Sequence, residues 1–88
     1  MYKIVFSKIA RKDYDKLRKE SAKLVAKMMD FIFDIFKHPF TGLGKPEALK
    51  GDLQGYWSRK INDKHRLVYK FEDGVLYIAS CYGHYGDK

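Results

Sequence analysis

An 88-residue chain has room for one domain and one modest core, and 45% apolar with 16% aromatic residues is enough to fold it without staples. Its 18 Lys+Arg against 11 Asp+Glu give a net charge of +7, a field that draws polyanions or acidic proteins without saying which. The single cysteine, Cys81, excludes an internal disulfide; the opening MYKIVFSKIARK alternates apolar with charged residues, so no signal peptide or membrane span is expected and the cytoplasm is the default compartment.

YKIVFS places Tyr2, Ile4 and Phe6 on one side of a half-buried strand, and Ser7 is a good N-cap for a helix directly after it. From Lys8 to His38 the chain lacks Gly and Pro. Ala10, Tyr14 and Leu17 fall at helical spacing, and KES offers a break at which Ser21 caps a second helix. That helix carries Leu24, Met28, Ile32, Ile35 and Phe36, widened by Val25, Met29 and Phe31, and must stop before Pro39. The first helix, rich in Lys8, Arg11, Lys12, Lys16, Arg18 and Lys19, is expected on the surface as a face able to touch phosphates.

HPFTGLGKPE reads as a loop long enough to be functional. GYWSRKI and HRLVYKF read as strands joined by Asn62-Asp63-Lys64, and Asp73-Gly74 turns the chain into VLYIASCY. The predicted architecture is α+β, ordered β-α-α-β-β-β: an antiparallel sheet in a single domain over 1–88, two helices on one face and the other face left for solvent or ligand.

Gly42-Leu43-Gly44 follows a helix and runs into Pro46, which makes it a turn rather than a phosphate loop. Cys81 and His84 have the spacing of half a zinc site, but no second Cys exists, so neither metal nor cofactor is expected. Cys81 falls on the Val75, Tyr77, Ala79 side of its strand and reads as a small buried residue.

There remain Glu47 in the loop, Arg59 and Arg66 on the hairpin, and His84-Tyr85 near the C-terminus. Metal-free RNA cleavage requires these types: a carboxylate to take the 2′-hydroxyl proton, an imidazole to protonate the leaving 5′-oxygen, and fixed positive charge on the phosphorane between them. Taken singly, each has a plainer reading. Glu47 can balance Lys45 and Lys50, Trp57 can be a core anchor, and His84-Tyr85 can be a strand end. Strand alternation turns Arg66 away from the helices; Arg59 shares its face if the hairpin loop has an even number of residues and opposes it if the loop has three.

The stretch GKPEALKGDLQGYWSRKINDKHRLVY, followed by CYGHY, closely resembles the YoeB (Txe) family of toxins within the RelE superfamily of mRNA interferases. The resemblance implies a small microbial-ribonuclease-like sheet with two helices on one face, cleavage of mRNA in the A site of the 70S ribosome, neutralisation by a YefM-like antitoxin, and a homodimer. It also implies roles: Glu47 the general base, Arg66 the phosphate-stabilising cation, His84 the general acid, Tyr85 a substrate-orienting residue. Lys45, Lys50, Arg59 and Trp57 would support the RNA or the transition state. The family usually ends CRYHY, whereas Tyr82 and Gly83 stand here in place of Arg and Tyr; loss of a cation and a looser glycine segment are expected to lower activity. Two other functions stay open. One is a non-catalytic RNA binder stacking bases on Tyr56, Trp57 and Tyr69. The other is a ParE-like toxin of the same fold that poisons gyrase.

Overall fold

A computed structural model of the chain describes residues 2–83. Strand β1 (Lys3–Phe6) ends at Ser7, whose Oγ accepts the Ala10 N–H at 2.9 Å and donates to the Ala79 carbonyl at 2.7 Å. One hydroxyl therefore caps the first helix and ties it to the sheet. Helix α1 (Lys8–Glu20) and helix α2 (Ala22–Lys37) meet at Ser21. The Ser21 N–H bonds to the Leu17 carbonyl at 2.9 Å while its Oγ accepts from Leu24 N–H at 3.3 Å, so this residue ends one helix and begins the next. The predicted break stands where the capping chemistry put it.

The sheet is completed by β2 (Glu47–Ala48), β3 (Trp57–Lys60), β4 (Arg66–Glu72) and β5 (Val75–Ser80), in the order β1-β5-β4-β3-β2. The fold is α+β, as expected, with two differences. The sheet is mixed, because β1 lies parallel to β5; alternation of apolar residues carries no information about strand direction. And β2, two residues long inside the Pro/Gly-rich loop, adds a strand too short to leave a periodic signal.

Leu17, Met28, Ile32 and Ile35 of the helices pack against Leu67, Tyr69, Leu76 and Ile78 of one sheet face to form the core. The β4–β5 turn has Asp73 and Gly74 at φ 51° and 77°, the pair of left-handed residues that a two-residue hairpin requires. Between β3 and β4, Ile61 N–H bonds to the His65 carbonyl at 3.0 Å and Asn62 Oδ1 accepts from Lys64 and His65 N–H, closing the loop over 62–64. Lys60 then faces Arg66 and Arg59 faces Leu67, so the two arginines point to opposite sides of the sheet.

A bulge breaks the β4–β5 register: Tyr69 faces Ile78 but Val68 faces Ser80, which leaves Ala79 as the extra residue. This corrects the side assigned to Cys81. The bulge shifts the alternation by one residue and turns Cys81 into the core, where Asp13 accepts its N–H at 3.1 Å and its Sγ lies 3.8 Å from the Ala10 carbonyl oxygen. Burial first, and Asp13 second, push its thiol up to about 12, so it stays protonated and is no nucleophile at neutral pH.

Candidate active site

The loop that delivers Glu47 is shaped from below. Gly44 has φ 78°, a left-handed conformation, and a Cβ there would meet the Phe31 ring at 2.8 Å, so glycine is required by conformation and by space. The Gly44 carbonyl accepts the Lys60 N–H at 2.7 Å. Glu47 then pairs with Ser58 on the face that the helices leave uncovered. By strand register Ser58, Lys60 and Arg66 share that face, with Lys60 directly across from Arg66. Glu47 is exposed and has an interaction partner of its own.

Arg66 is half-buried. Its Nη1 donates to the carbonyls of Asn62 (2.8 Å) and His65 (3.3 Å), and both acceptors are carbonyls rather than carboxylates. The Asx turn of Asn62 thus anchors the guanidinium through two backbone carbonyls. Lys60 Nζ lies 3.0 Å from the fully exposed Asp63, and that lysine is the main cause holding the Asp63 carboxyl below its usual value. Such a solvated pair is weak and yields readily to a phosphate.

Arg59 requires a correction. Expected to support the transition state, it is 0% exposed, and all five of its N–H groups are spent inside the protein. Nε donates to Tyr69 Oη (3.1 Å), Nη1 to Asp34 (2.6 Å) and the Leu43 carbonyl (3.0 Å), and Nη2 to the carbonyls of His38 (2.6 Å) and Thr41 (2.7 Å). The Asp34 carboxyl is held below its usual value first by Arg59 and then by the Leu43 N–H. This guanidinium organises the 38–43 loop and cannot reach a phosphate. The odd loop length sent it to the core face; Lys60 occupies the outer position beside Arg66.

Trp57 also departs from expectation. It faces Tyr69 in the register, packs against the core, and stacks on Phe40 with ring centroids 4.8 Å apart. It lies on the face opposite Arg66, and Tyr69 is fully buried, so neither ring offers a platform for bases on the outer face. Lys45 and Lys50 are exposed; Lys45 joins Lys27 and Lys60 around an open hollow of about 560 Å³ beside the hairpin. A hollow of about 710 Å³ lies elsewhere, against β1 and the two helices, lined by Arg11 of the basic helix face but by none of the candidate catalytic residues.

His84 and Tyr85 lie outside the described residues. The chain leading to them is held closely: the Gly83 carbonyl accepts the Arg66 N–H at 3.0 Å, and its N–H donates to His65 Nδ1 at 2.8 Å. Gly83, expected to loosen this segment, uses its φ of 80° to make both bonds. Tyr82 donates its hydroxyl to Glu20 at 2.8 Å. His65 and Glu20, far apart in the chain, meet through His65 Nε2 at 2.9 Å, a pairing that the sequence did not reveal. Among the described residues no three His, Cys, Asp or Glu side chains converge on a point that could hold a metal.

The chain is similar to known toxins in sequence and in structure. The family described as YoeB-like toxin of bacterial type II toxin-antitoxin system matches residues 6–85. A Toxin YoeB from Synechocystis is 46% identical over 83 residues, covering 94% of this chain and 96% of that protein. Among solved structures, a heterotetrameric YoeB–YefM toxin–antitoxin complex from Staphylococcus aureus superposes with TM-score 0.87 at 42% identity, covering 97% of this chain and 99% of the other. A YoeB dimer from the same organism superposes with TM-score 0.88, also at 42% identity, covering 96% and 98%.

Proposed function

Because the chain belongs to the YoeB-like toxins of bacterial type II toxin–antitoxin systems, we propose that it acts as a ribosome-dependent mRNA endoribonuclease, working in the cytoplasm on the message in the A site of the 70S ribosome. The observation that carries this reading is a shared face: Glu47, Lys60 and Arg66 stand on the side of the sheet away from the helices, and the peptide that precedes His84 is bonded to the Arg66 backbone at 3.0 Å. Glu47 takes the proton of the 2′-hydroxyl and the freed oxygen attacks the adjacent phosphate. Arg66, with Lys60 in the part expected of Arg59, neutralises the charge that develops on the phosphorane. His84 gives its proton to the departing 5′-oxygen, Tyr85 orients the nucleotide, and a 2′,3′-cyclic phosphate forms. No step calls for a metal or a cofactor.

The exposed cations of α1, Lys8, Arg11, Lys12, Lys16, Arg18 and Lys19, with Lys45 and Lys50 nearer the site, bind RNA phosphates without choosing sequence. A YefM-like antitoxin and a second copy of the chain are the protein partners, by likeness to the complex and the dimer of the Staphylococcus relative.

Purified protein with 70S ribosomes and a programmed message tests the reading. His84→Gln and Arg66→Ala should each abolish cleavage while leaving ribosome binding largely intact; cutting at the wild-type rate by His84→Gln would take that imidazole out of the mechanism. DNA damage in expressing cells with the message left whole would favour the gyrase-directed alternative. Placement of Trp57 and Tyr69 on the core side weighs against the base-stacking alternative.

A further inference from the structure

One buried titratable side chain takes no part in this chemistry. His65 is 0% exposed, yet both its ring nitrogens are engaged: Nδ1 lies 2.8 Å from the Gly83 nitrogen and Nε2 2.9 Å from a Glu20 carboxylate oxygen. A backbone N–H can only donate, so Nδ1 is the bare acceptor and Nε2 carries the proton offered to Glu20. The Tyr82 ring lies over the imidazole at 4.2 Å between centroids, its hydroxyl donates to the other Glu20 oxygen at 2.8 Å, and Lys16 Nζ sits 5.6 Å from the centre of that ring. The Glu20 carboxyl is accordingly held below its usual value, first by His65 and then by Tyr82. An apolar side chain would fill the same space, but it would leave the Gly83 N–H without an acceptor.

We propose that His65, oriented by Glu20, is a positioning residue for catalysis: it seats the peptide at Gly83 against Arg66 and so fixes the point from which the next residue, His84, departs. The inference rests on the reading that His84 is the general acid. Gly83 is held by N–H and by C=O at once, to His65 and to the Arg66 backbone. The seat thereby couples the acid's anchor to the strand that carries the phosphate-binding cation. A catalytic group displaced by about 1 Å costs on the order of a hundredfold in rate, so an anchor of this kind acts on the chemical step and not on binding.

Two isosteric variants separate this role from core filling. Asn at this site can place its oxygen near the position of Nδ1 and keep the Gly83 bond; Gln can reach the position of Nε2 and keep only the Glu20 bond. His65→Gln should lower the single-turnover cleavage rate by about ten- to a hundredfold at saturating ribosomes, with unchanged ribosome affinity. It should also speed hydrogen exchange at the Gly83 amide by about tenfold. His65→Asn should retain most of the rate and the protection. Both variants lose packing, so their melting temperatures should fall together, and that shared loss serves as the control for a structural role. Equal rates in the two variants, or a protected Gly83 amide in His65→Gln, would overturn the proposal. Should the wild-type protein fail to cut ribosome-bound message, the functional reading and the catalytic half of this inference fall together. The exchange contrast at Gly83 still decides whether His65 is the seat.

Discussion

Arg59 and Arg66 differ in what surrounds them, not in chemistry. Seven residues apart, they straddle a loop whose odd length sends one guanidinium into the core and leaves the other outside. Arg59 meets Asp34, Tyr69 and three carbonyls, a set that matches the planar fork and that a point charge cannot match. Arg59→Lys should therefore lower unfolding free energy by about 3 kcal/mol, the order expected when a buried pair loses most of its bonds. Urea denaturation gives this directly. A catalytic Arg59 would give the opposite pattern, a stable protein with a lost rate. The sequence held the distinction only in the length of the Asn62-Asp63-Lys64 connection, and a strand boundary displaced by one residue would have reversed it.

The sheet positions the site through features that periodicity blurs. Alternation and helical spacing made the two helices and the four longer strands legible, and the Asp73-Gly74 turn followed from its residues. By contrast β2, the bulge at Ala79 and the parallel edge at β1 each depend on register, which only partner strands define. Of the candidate site, Glu47 and Arg66 were legible as types in a basic, aromatic stretch, whereas His65 and Glu20 meet through the third dimension alone. The turn at Gly44 links the loop to the chemistry, since Gly44→Ala would face a left-handed φ and the Phe31 ring together. The two penalties, about 1–2 kcal/mol for the conformation and about 1–3 kcal/mol for overpacking, should destabilise the protein measurably. Cleavage should fall further than the loss of folded protein explains, because β2 moves and Glu47 moves with it. Comparing the rate per folded molecule with the melting curve checks this; a rate that merely tracks the folded fraction would mean that β2 keeps its place.

At the scale of the whole molecule, the net charge of +7 opposes compactness, and the balance is held by a few carboxylates. The usual values of Glu20 and Asp34 are 4.5 and 3.8, and both are lowered in the fold, Glu20 chiefly by His65 and Asp34 chiefly by Arg59. A carboxyl with a depressed folded value binds fewer protons folded than unfolded, so its contribution is full above the usual value and is lost as pH falls through the lower one. Stability should therefore be insensitive to these two groups above about pH 5.5 and should drop steeply from about pH 4.5 downward. Protonation of the remaining acids leaves 18 Lys+Arg unbalanced, a diffuse repulsion that adds to the drop. The two causes respond differently to salt, since screening relieves repulsion across the surface but does less for the directly hydrogen-bonded, partly buried Asp34–Arg59 pair. In Asp34→Asn the acid limb should flatten even at high ionic strength, while the wild-type protein should keep most of its slope there. Denaturant midpoints measured from pH 2.5 to 7 at low and high salt would distinguish them. A wild-type acid limb abolished by salt would assign the transition to net charge alone and leave the Asp34–Arg59 pair without a part in it.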